Sequence, residues 1–292
     1  MARSHITDDD ILAHVNRLGE QHPASSLASV DRTVHNPDRV RTEFAPVIDY
    51  LARVELEVDR NVLELLTLLP DVSEVDRLFY QDVWQPQEIA HGLVLDQLQA
   101  DLDMAPSVPY MEIQFKMKLL GALAHLPAIQ EVSRFLYYLT GAATERQAVL
   151  AYNRLTKGLD AIDEPAISRT IISPIKVQEP GHFAFYTMSA TQMVEQSVLA
   201  PWQMFLARVL RSASFELVGI NSKPEWSAQM GAVMTALDLD ADDELAKYAK
   251  DLGRLEARLL WANRNGMEFP PYFLTALRES VELYRERGFP MA

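Results

Sequence analysis

The sequence contains no cysteine in 292 residues. This absence excludes disulfides, thiolate zinc sites, cysteine nucleophiles and cysteine-held iron–sulfur clusters. Any bound metal must therefore be held by histidine and carboxylate side chains. If the chemistry is redox, the electrons must come from a separate protein or from a bound organic cofactor.

Long apolar runs and positive charge are also scarce. No run approaches the roughly 18 apolar residues of a membrane-spanning helix, and the opening MARSHITDDD has no signal-peptide core. The 41 acidic residues outnumber 27 basic ones, for a formal charge of −14. This charge opposes non-specific binding to nucleic acid and to anionic lipid. The sequence predicts a cytoplasmic protein that binds neither nucleic acid nor anionic lipid and has no membrane span.

Several enzyme motifs are missing as well. The sequence contains no phosphate loop of the form GxxxxGK(S/T), no GxGxxG turn, no HExxH and no GxSxG. Nucleotide-driven and serine-hydrolase functions therefore lose their main support.

The residues that are abundant favour helices. Hydrophobic residues make up 48% of the chain and recur at helical spacing with only 11 glycines, which predicts an all-α protein. One domain over residues 1–292 accommodates this length, with a core bundle at about 40–200. The expected bundle helices cover residues 40–69, 73–104, 110–125, 127–157 and 164–199. Pro70, Pro106 and Gly158 are interpreted as stops, and Pro174 and Pro180-Gly181 as interruptions.

Outside the bundle we expect a first helix, a connecting loop and several accessory helices. Asp8 to Asp10 indicate a capped first helix, and residues 22–39 a connecting loop on a surface arm. Residues 201–292 predict three or four accessory helices, including 245–263 and 273–287. These helices would either cover the bundle or form an interface.

Each long helix carries a glutamate at a core position. Glu55 lies in a stripe of Ile, Leu and Val, whereas Glu57 lies about 200° round the helix, so the pattern favours Glu55 over Glu57. The corresponding stripes of the other three helices carry Glu88 with His91, Glu145, and Glu179 with His182.

Four ionised carboxylates in one interior are unfavourable by several kcal/mol unless they are compensated. Two divalent cations would compensate them, and Glu-x-x-His places both side chains on one helical face. Glu88 follows Glu55 by 33 residues and Glu179 follows Glu145 by 34, as a two-fold related cage requires. The sequence thus predicts a two-metal site, of the kind that holds two iron or two manganese ions in helical bundles, formed by Glu55, Glu88, His91, Glu145, Glu179 and His182. The alternative is that these are solvated charges on outward faces.

At these residues the sequence resembles the soluble acyl-carrier-protein desaturases and their actinobacterial relatives. The segment from Trp84 to Gly92 is similar to the family's W-x-x-E-E-x-x-H-G, residues 144–148 to its Q-E-R-A-T, and residues 178–182 to its D-E-x-R-H. Residues 163–165 also have counterparts. Ala148 stands where the family has threonine, and Gln178 where it has aspartate.

The resemblance implies a ferritin-like four-helix bundle with added N- and C-terminal helices, in a homodimer. It implies oxygen-dependent oxidation of a fatty-acyl thioester carried by an acidic carrier protein, with electrons from a donor such as ferredoxin. The implied catalytic and metal-binding roles are terminal ligands Glu55 and Glu179, bridges Glu88 and Glu145, and imidazoles His91 and His182. A basic patch for the carrier would draw on Lys116, Lys118, Arg208 and Arg211.

Two other functions remain open. Ala148 and Gln178 favour a two-metal oxygenase of carbon or nitrogen in secondary metabolism. Pro180-Gly181 favours a desaturase-like protein without catalysis, because a broken helix would not present Glu179 and His182 together.

Overall fold

The computed structural model describes residues 5–68 and 72–289, without the side chains of Thr67, Leu68 and Lys116. Every regular element in these residues is helical and no β-strand occurs among them, which confirms the all-α class. None of the described helices is long and apolar enough to cross a membrane. Leu69 and the expected stop Pro70 lie outside the described residues.

The helices that build and flank the bundle are listed here in chain order: α1 Asp8–Gln21, α2 Pro37–Glu55, α3 Val58–Leu68, α4 Glu74–Arg77, α5 Gln85–Asp101, α6 Phe115–Ala124, α7 Pro127–Ala161 and α8 Ser173–Glu195. The accessory helices are α9 Pro201–Ser214, α10 Pro224–Ala236, α11 Asp242–Leu259 and α12 Pro271–Arg287. Two π-helical segments, Leu78–Trp84 and Ile167–Ile172, lead directly into α5 and α8.

The expected single helix over 40–69 is wrong, because the chain breaks between α2 and α3 at Leu56 and Glu57. Glu57 is only 1% exposed and binds Arg53 and Arg60 on either side of the break. The break therefore lets Glu55 and Glu57 both be buried while they point to different places.

One expected stop and two expected interruptions are also wrong. Gly158 lies inside α7 rather than ending it, and a Cβ there would come within 2.4 Å of the Phe44 ring. Pro174 lies where the π-helical segment passes into α8 without a break, and α8 continues through Pro180. Gly181 is needed for packing instead, since a Cβ there would lie 2.4 Å from Leu18 of α1.

The other boundaries are shifted by local hydrogen bonds. Thr7, not an aspartate, caps α1, and Asp10 completes the capping box. The helix expected over 110–125 begins only at Phe115, and the backbone N–H of Tyr110 instead donates to Glu57 Oε1 at 3.2 Å. The helix expected to end at Met104 ends at Asp101.

The bundle is formed by α2 packed on α5 and by α7 packed on α8, with α2 also contacting α7. The accessory helices cover it: α10 packs on α2, α11 on α7 and α8, and α12 on α10 and α11. The first helix α1 packs on α8 and on the π-helical segment before α5. Residues 22–39 lie at the surface as expected, although α2 already begins at Pro37, and the buried Glu164 anchors this segment by accepting the backbone N–H of His35 at 3.0 Å.

Candidate metal centre

Four helices bring the six expected ligands into one buried cluster. Glu55 comes from the end of α2, Glu88 and His91 from α5, Glu145 from the middle of α7, and Glu179 and His182 from α8. No glutamate of the cluster is more than 6% exposed, and both histidines are completely buried. The structure therefore excludes a solvated face for any of the six.

The ligand atoms form two groups, each within 4.8 Å. The first contains Glu55, Glu88, His91 and Glu179, and the second contains Glu88, Glu145, Glu179 and His182. His91 Nδ1 lies 3.3 Å from Glu179, and His182 Nδ1 lies 2.9 Å from Glu88. Each group could hold a metal ion, and Glu88 and Glu179 belong to both. The two groups thus share Glu88 and Glu179, whereas the resemblance implies Glu88 and Glu145 as the bridging pair.

The two unshared glutamates are each held by an aromatic donor. Tyr152 of α7 donates its hydroxyl to Glu55 at 2.6 Å, and Trp84 donates its indole N–H to Glu145 at 3.2 Å. One donor thus orients each terminal carboxylate, and the two halves of the cluster have matching parts.

The two histidines are held crosswise by glutamines. His91 Nε2 lies 2.5 Å from Gln178 Oε1, and His182 Nε2 lies 2.5 Å from Gln87 Oε1. Each glutamine directly precedes the ligand glutamate of the opposite helix. Because an amide oxygen only accepts, Nε2 of each imidazole donates to its glutamine, which leaves Nδ1 as the atom that would bind a metal.

Both glutamines are anchored on the end of α1. The side-chain N–H groups of Gln87 and Gln178 donate to the backbone oxygen of His22, at 2.5 and 3.0 Å. Gln178 also donates to the oxygen of Pro23 at 2.8 Å. The N-terminal helix therefore ends against the partners of the ligands.

Four polar atoms in the cluster are buried without a hydrogen-bond partner of suitable geometry. They are Glu88 Oε1, Glu179 Oε1, His91 Nδ1 and His182 Nδ1. Buried polar atoms are nearly always satisfied in folded proteins. All four belong to expected ligands and face the shared space, so the residues fit a metal pair.

The cluster's ionisation reflects its burial. Burial and the neighbouring carboxylate of Glu55 raise the pKa of Glu88 well above the usual value. Burial and the carboxylate of Glu88 do the same to the pKa of Glu179. Burial opposes charging of His91, but the facing carboxylates Glu179, Glu55 and Glu88 raise its pKa well above the ordinary range. Burial would also raise the pKa of Glu55, yet contacts with Glu88, His91 and Tyr152 lower it to about 2. The cluster without metal therefore retains protons that cations would displace.

A cavity of about 430 Å³ reaches the cluster from the side of α3, α6, α7 and α9. Its inner end is formed by Trp84, Thr144 and Glu145, which also line a smaller cleft beside Glu55, Glu88 and Glu179. The lining residues exposed to solvent are Leu119, Leu123, Thr140 and Ser214. The cavity thus leads from an outer opening between α6 and α9 to the carboxylates.

The expected basic patch is not assembled in the described residues. Arg211 is 6% exposed and pairs with the buried Glu256 at 3.0 Å, while Arg208 donates to the backbone oxygen of Leu260 at 2.7 Å. Lys118 is exposed on α6, and the side chain of Lys116 lies outside the described residues. Arg211 serves packing of α9 on α11 rather than binding of a carrier.

Sequence reasoning missed the role of Gln87 and of the backbone at His22. Gln87 had a readable signal, because glutamine stands directly before the ligand glutamate in both halves. His22 had none, because a backbone oxygen leaves no trace in a sequence.

Comparisons with protein-family models, with curated proteins and with solved structures found no match to this chain.

Proposed function

We propose that this chain is a ferritin-like two-metal oxidoreductase that uses dioxygen to oxidise an apolar, fatty-acyl substrate. The observation that supports it most is the pair of ligand groups that share Glu88 and Glu179, placed at the inner end of an apolar cavity. Ligand sets of this kind, with four carboxylates and two imidazoles, occur in di-iron and di-manganese bundles. In this proposal Glu88 and Glu179 bridge, and Glu55 and Glu145 are terminal.

Two iron ions in these positions would supply the capacity to reduce dioxygen. In a desaturation the substrate loses two hydrogen atoms and dioxygen becomes two molecules of water. The substrate supplies two of the four electrons required, a one-electron donor of the ferredoxin class supplies the other two, and solvent supplies two protons.

The residues of the chain have separate tasks in this scheme. Gln87 and Gln178 hold the imidazoles, while Tyr152 and Trp84 hold the terminal carboxylates. In this scheme a substrate chain that fills the cavity would displace water from it and bring one of its carbons next to Glu145.

The test is to purify the protein without oxygen, add ferrous iron, count bound metal and follow the near-ultraviolet and visible spectrum as oxygen is admitted. We expect two irons per chain and a spectral change, both lost in Glu88→Ala and kept in Glu282→Ala, which removes an exposed glutamate of α12. Binding of a single unreactive ion, or of none, would contradict the proposal. Oxygen consumption with acyl-carrier-protein thioesters and a ferredoxin system then tests the substrate.

A second function has specific support. Ala148 lines the cleft beside the carboxylates, where the desaturases carry a threonine, and the neutral Gln178 stands where they carry an aspartate. These two differences favour a carbon or nitrogen oxygenase acting on a non-acyl substrate. Oxygen uptake that only acyl thioesters stimulate would exclude it.

The reason for considering a desaturase-like protein without catalysis no longer holds. It rested on a helix broken at Pro180 and Gly181, whereas α8 is continuous and presents both Glu179 and His182 to the cluster.

A further inference from the structure

The outer faces of α6 and α9 are unusually apolar. Each helix exposes three large hydrophobic side chains at intervals of three or four residues, so they form a stripe along the helix. These residues are exposed by 44% to 80% and are Phe115, Leu119, Leu123, Trp202, Phe205 and Val209. We call them the α6/α9 face. Exposed apolar stripes of this kind mark a binding site for a protein or a membrane.

The α6/α9 face also differs from the rest of the chain in charge. Although the chain contains 41 acidic residues, none occurs from 113 to 130 or from 196 to 215. Of the basic residues in these two segments, Lys118 is exposed and Arg208 is partly exposed, whereas Arg211 is buried and paired with Glu256. The net charge of −14 therefore describes the molecule but not this face, and charges elsewhere are screened within about 8 Å at physiological ionic strength.

The opening of the cavity lies beside the α6 part of the α6/α9 face. Leu119 and Leu123 belong both to the exposed stripe and to the cavity lining, and Thr140 and Ser214 mark the opening between the two helices. A partner on this face would therefore cover the route to Glu145.

We propose that the α6/α9 face docks on a phospholipid surface and that an apolar substrate passes from the lipid into the cavity. Phenylalanine, tryptophan and leucine beside a few lysines and arginines are the composition of a helix that lies in a membrane interface. A second copy fits this face less well. It would seal the opening through which an apolar substrate enters the cavity.

The docking itself is independent of the metal centre, whereas the passage of substrate rests on the proposed function. The probe is vesicles made of phosphatidylcholine and phosphatidylglycerol in equal parts, in a flotation assay with the full chain. We expect the protein to float with the vesicles. The double variant Phe115→Gln/Phe205→Gln should bind more weakly by about tenfold for each phenylalanine, because each loses the burial of one aromatic side chain.

The matched control is Leu27→Gln/Leu93→Gln, which removes two 44% exposed leucines elsewhere and should bind as the wild type does. Failure of the wild type to float, or equal binding of both double variants, would overturn the docking. A wild-type dimer in sedimentation that Phe115→Gln/Phe205→Gln dissociates, without vesicle binding, would assign the face to a second copy instead.

The two proposals fail separately. Glu88→Ala should still float, because the α6/α9 face does not include the metal ligands. Vesicle binding without stoichiometric iron would refute the proposed function alone, and stoichiometric iron without vesicle binding would refute the docking alone.

Discussion

At the scale of residues, shared and unshared glutamates make different contributions to the cluster. Glu88 and Glu179 contact both ligand groups, whereas Glu55 and Glu145 each belong to one. We expect Glu55→Ala and Glu145→Ala to retain one ion per chain and Glu88→Ala and Glu179→Ala to retain none, measured by elemental analysis after loading. If Glu179→Ala kept an ion while Glu145→Ala lost both, Glu145 would be the bridge.

Each glutamine should affect the affinity for one of the two metal ions. Gln178→Leu leaves Nε2 of His91 without its acceptor, and Gln87→Leu does the same to His182. Loss of such a partner typically weakens metal binding by about 10- to 100-fold. Competition against a chelator should show this loss for one of two ions in each variant. Gln196→Leu, at an exposed position just after α8, is the control and should bind both ions normally.

The protonation of the cluster predicts how the metal-free protein responds to pH. The folded pKa values of Glu88 and Glu179 are raised above the ordinary 4.5, and that of His91 above 6.5. Stability from such groups is complete below the ordinary pKa and is lost as the pH rises towards the folded one. The folded pKa of Glu55 is lowered instead, so its contribution to stability is lost as the pH falls from 4.5 to about 2.

Urea unfolding of the metal-free protein should therefore show a falling free energy of unfolding from about pH 5 upwards. Glu88→Gln, which cannot ionise, should show a smaller decline. An increase in stability over this range would mean that the carboxylates are ionised without metal.

At the scale of elements, the contact between α1 and α8 depends on Gly181. A methyl group there would lie 2.4 Å from Leu18, so Gly181→Ala should lower the free energy of unfolding by about 1–3 kcal/mol. Gly19→Ala is the matched control on α1, because its Cβ would lie 3.1 Å from the end of the Val83 side chain and alanine favours a helix. Urea unfolding measures both, and equal effects would show that Leu18 yields without penalty.

The helical elements were readable from the sequence, but their ends were not. Apolar spacing predicted helices that contain all six ligands, and Ser73, Pro127 and Pro201 do lie at helix starts. Gly158 and Pro180 were expected to break helices but do not, because whether such a residue ends a helix depends on what packs against it. Phe44 requires a glycine at 158, and tertiary packing retains α8 despite the lost donor of Pro180.

The same limit applies to the site. Glu55 was favoured over Glu57 on the assumption of one straight helix, and the structure does place Glu55 in the cluster. Glu57 is nevertheless buried, because Arg53, Arg60 and the N–H of Tyr110 bind it at the break. Arg53 and Arg60 lie at helical ion-pair spacing from Glu57 and could have been recognised, whereas the N–H of Tyr110, 53 residues away, could not.

At the scale of the whole molecule, the bundle should be stabilised by the ions that it binds. Metal binds the folded state, in which the ligands converge, and raises the free energy of unfolding by about 2.7 kcal/mol when free metal is 100 times its Kd. Thermal unfolding with and without ferrous iron under anaerobic conditions measures the effect. Glu88→Ala should show no increase, whereas Glu282→Ala should respond as the wild type does.

The oxygen that both glutamine amides bind belongs to the main chain at His22. An alanine scan replaces side chains only, so it would score residue 22 as dispensable although both halves of the cluster depend on it. Natural substitutions at this position would be equally silent. A chemical change of the peptide linkage, such as an ester between residues 22 and 23, weakens the carbonyl as an acceptor and would reveal the dependence that mutagenesis passes over.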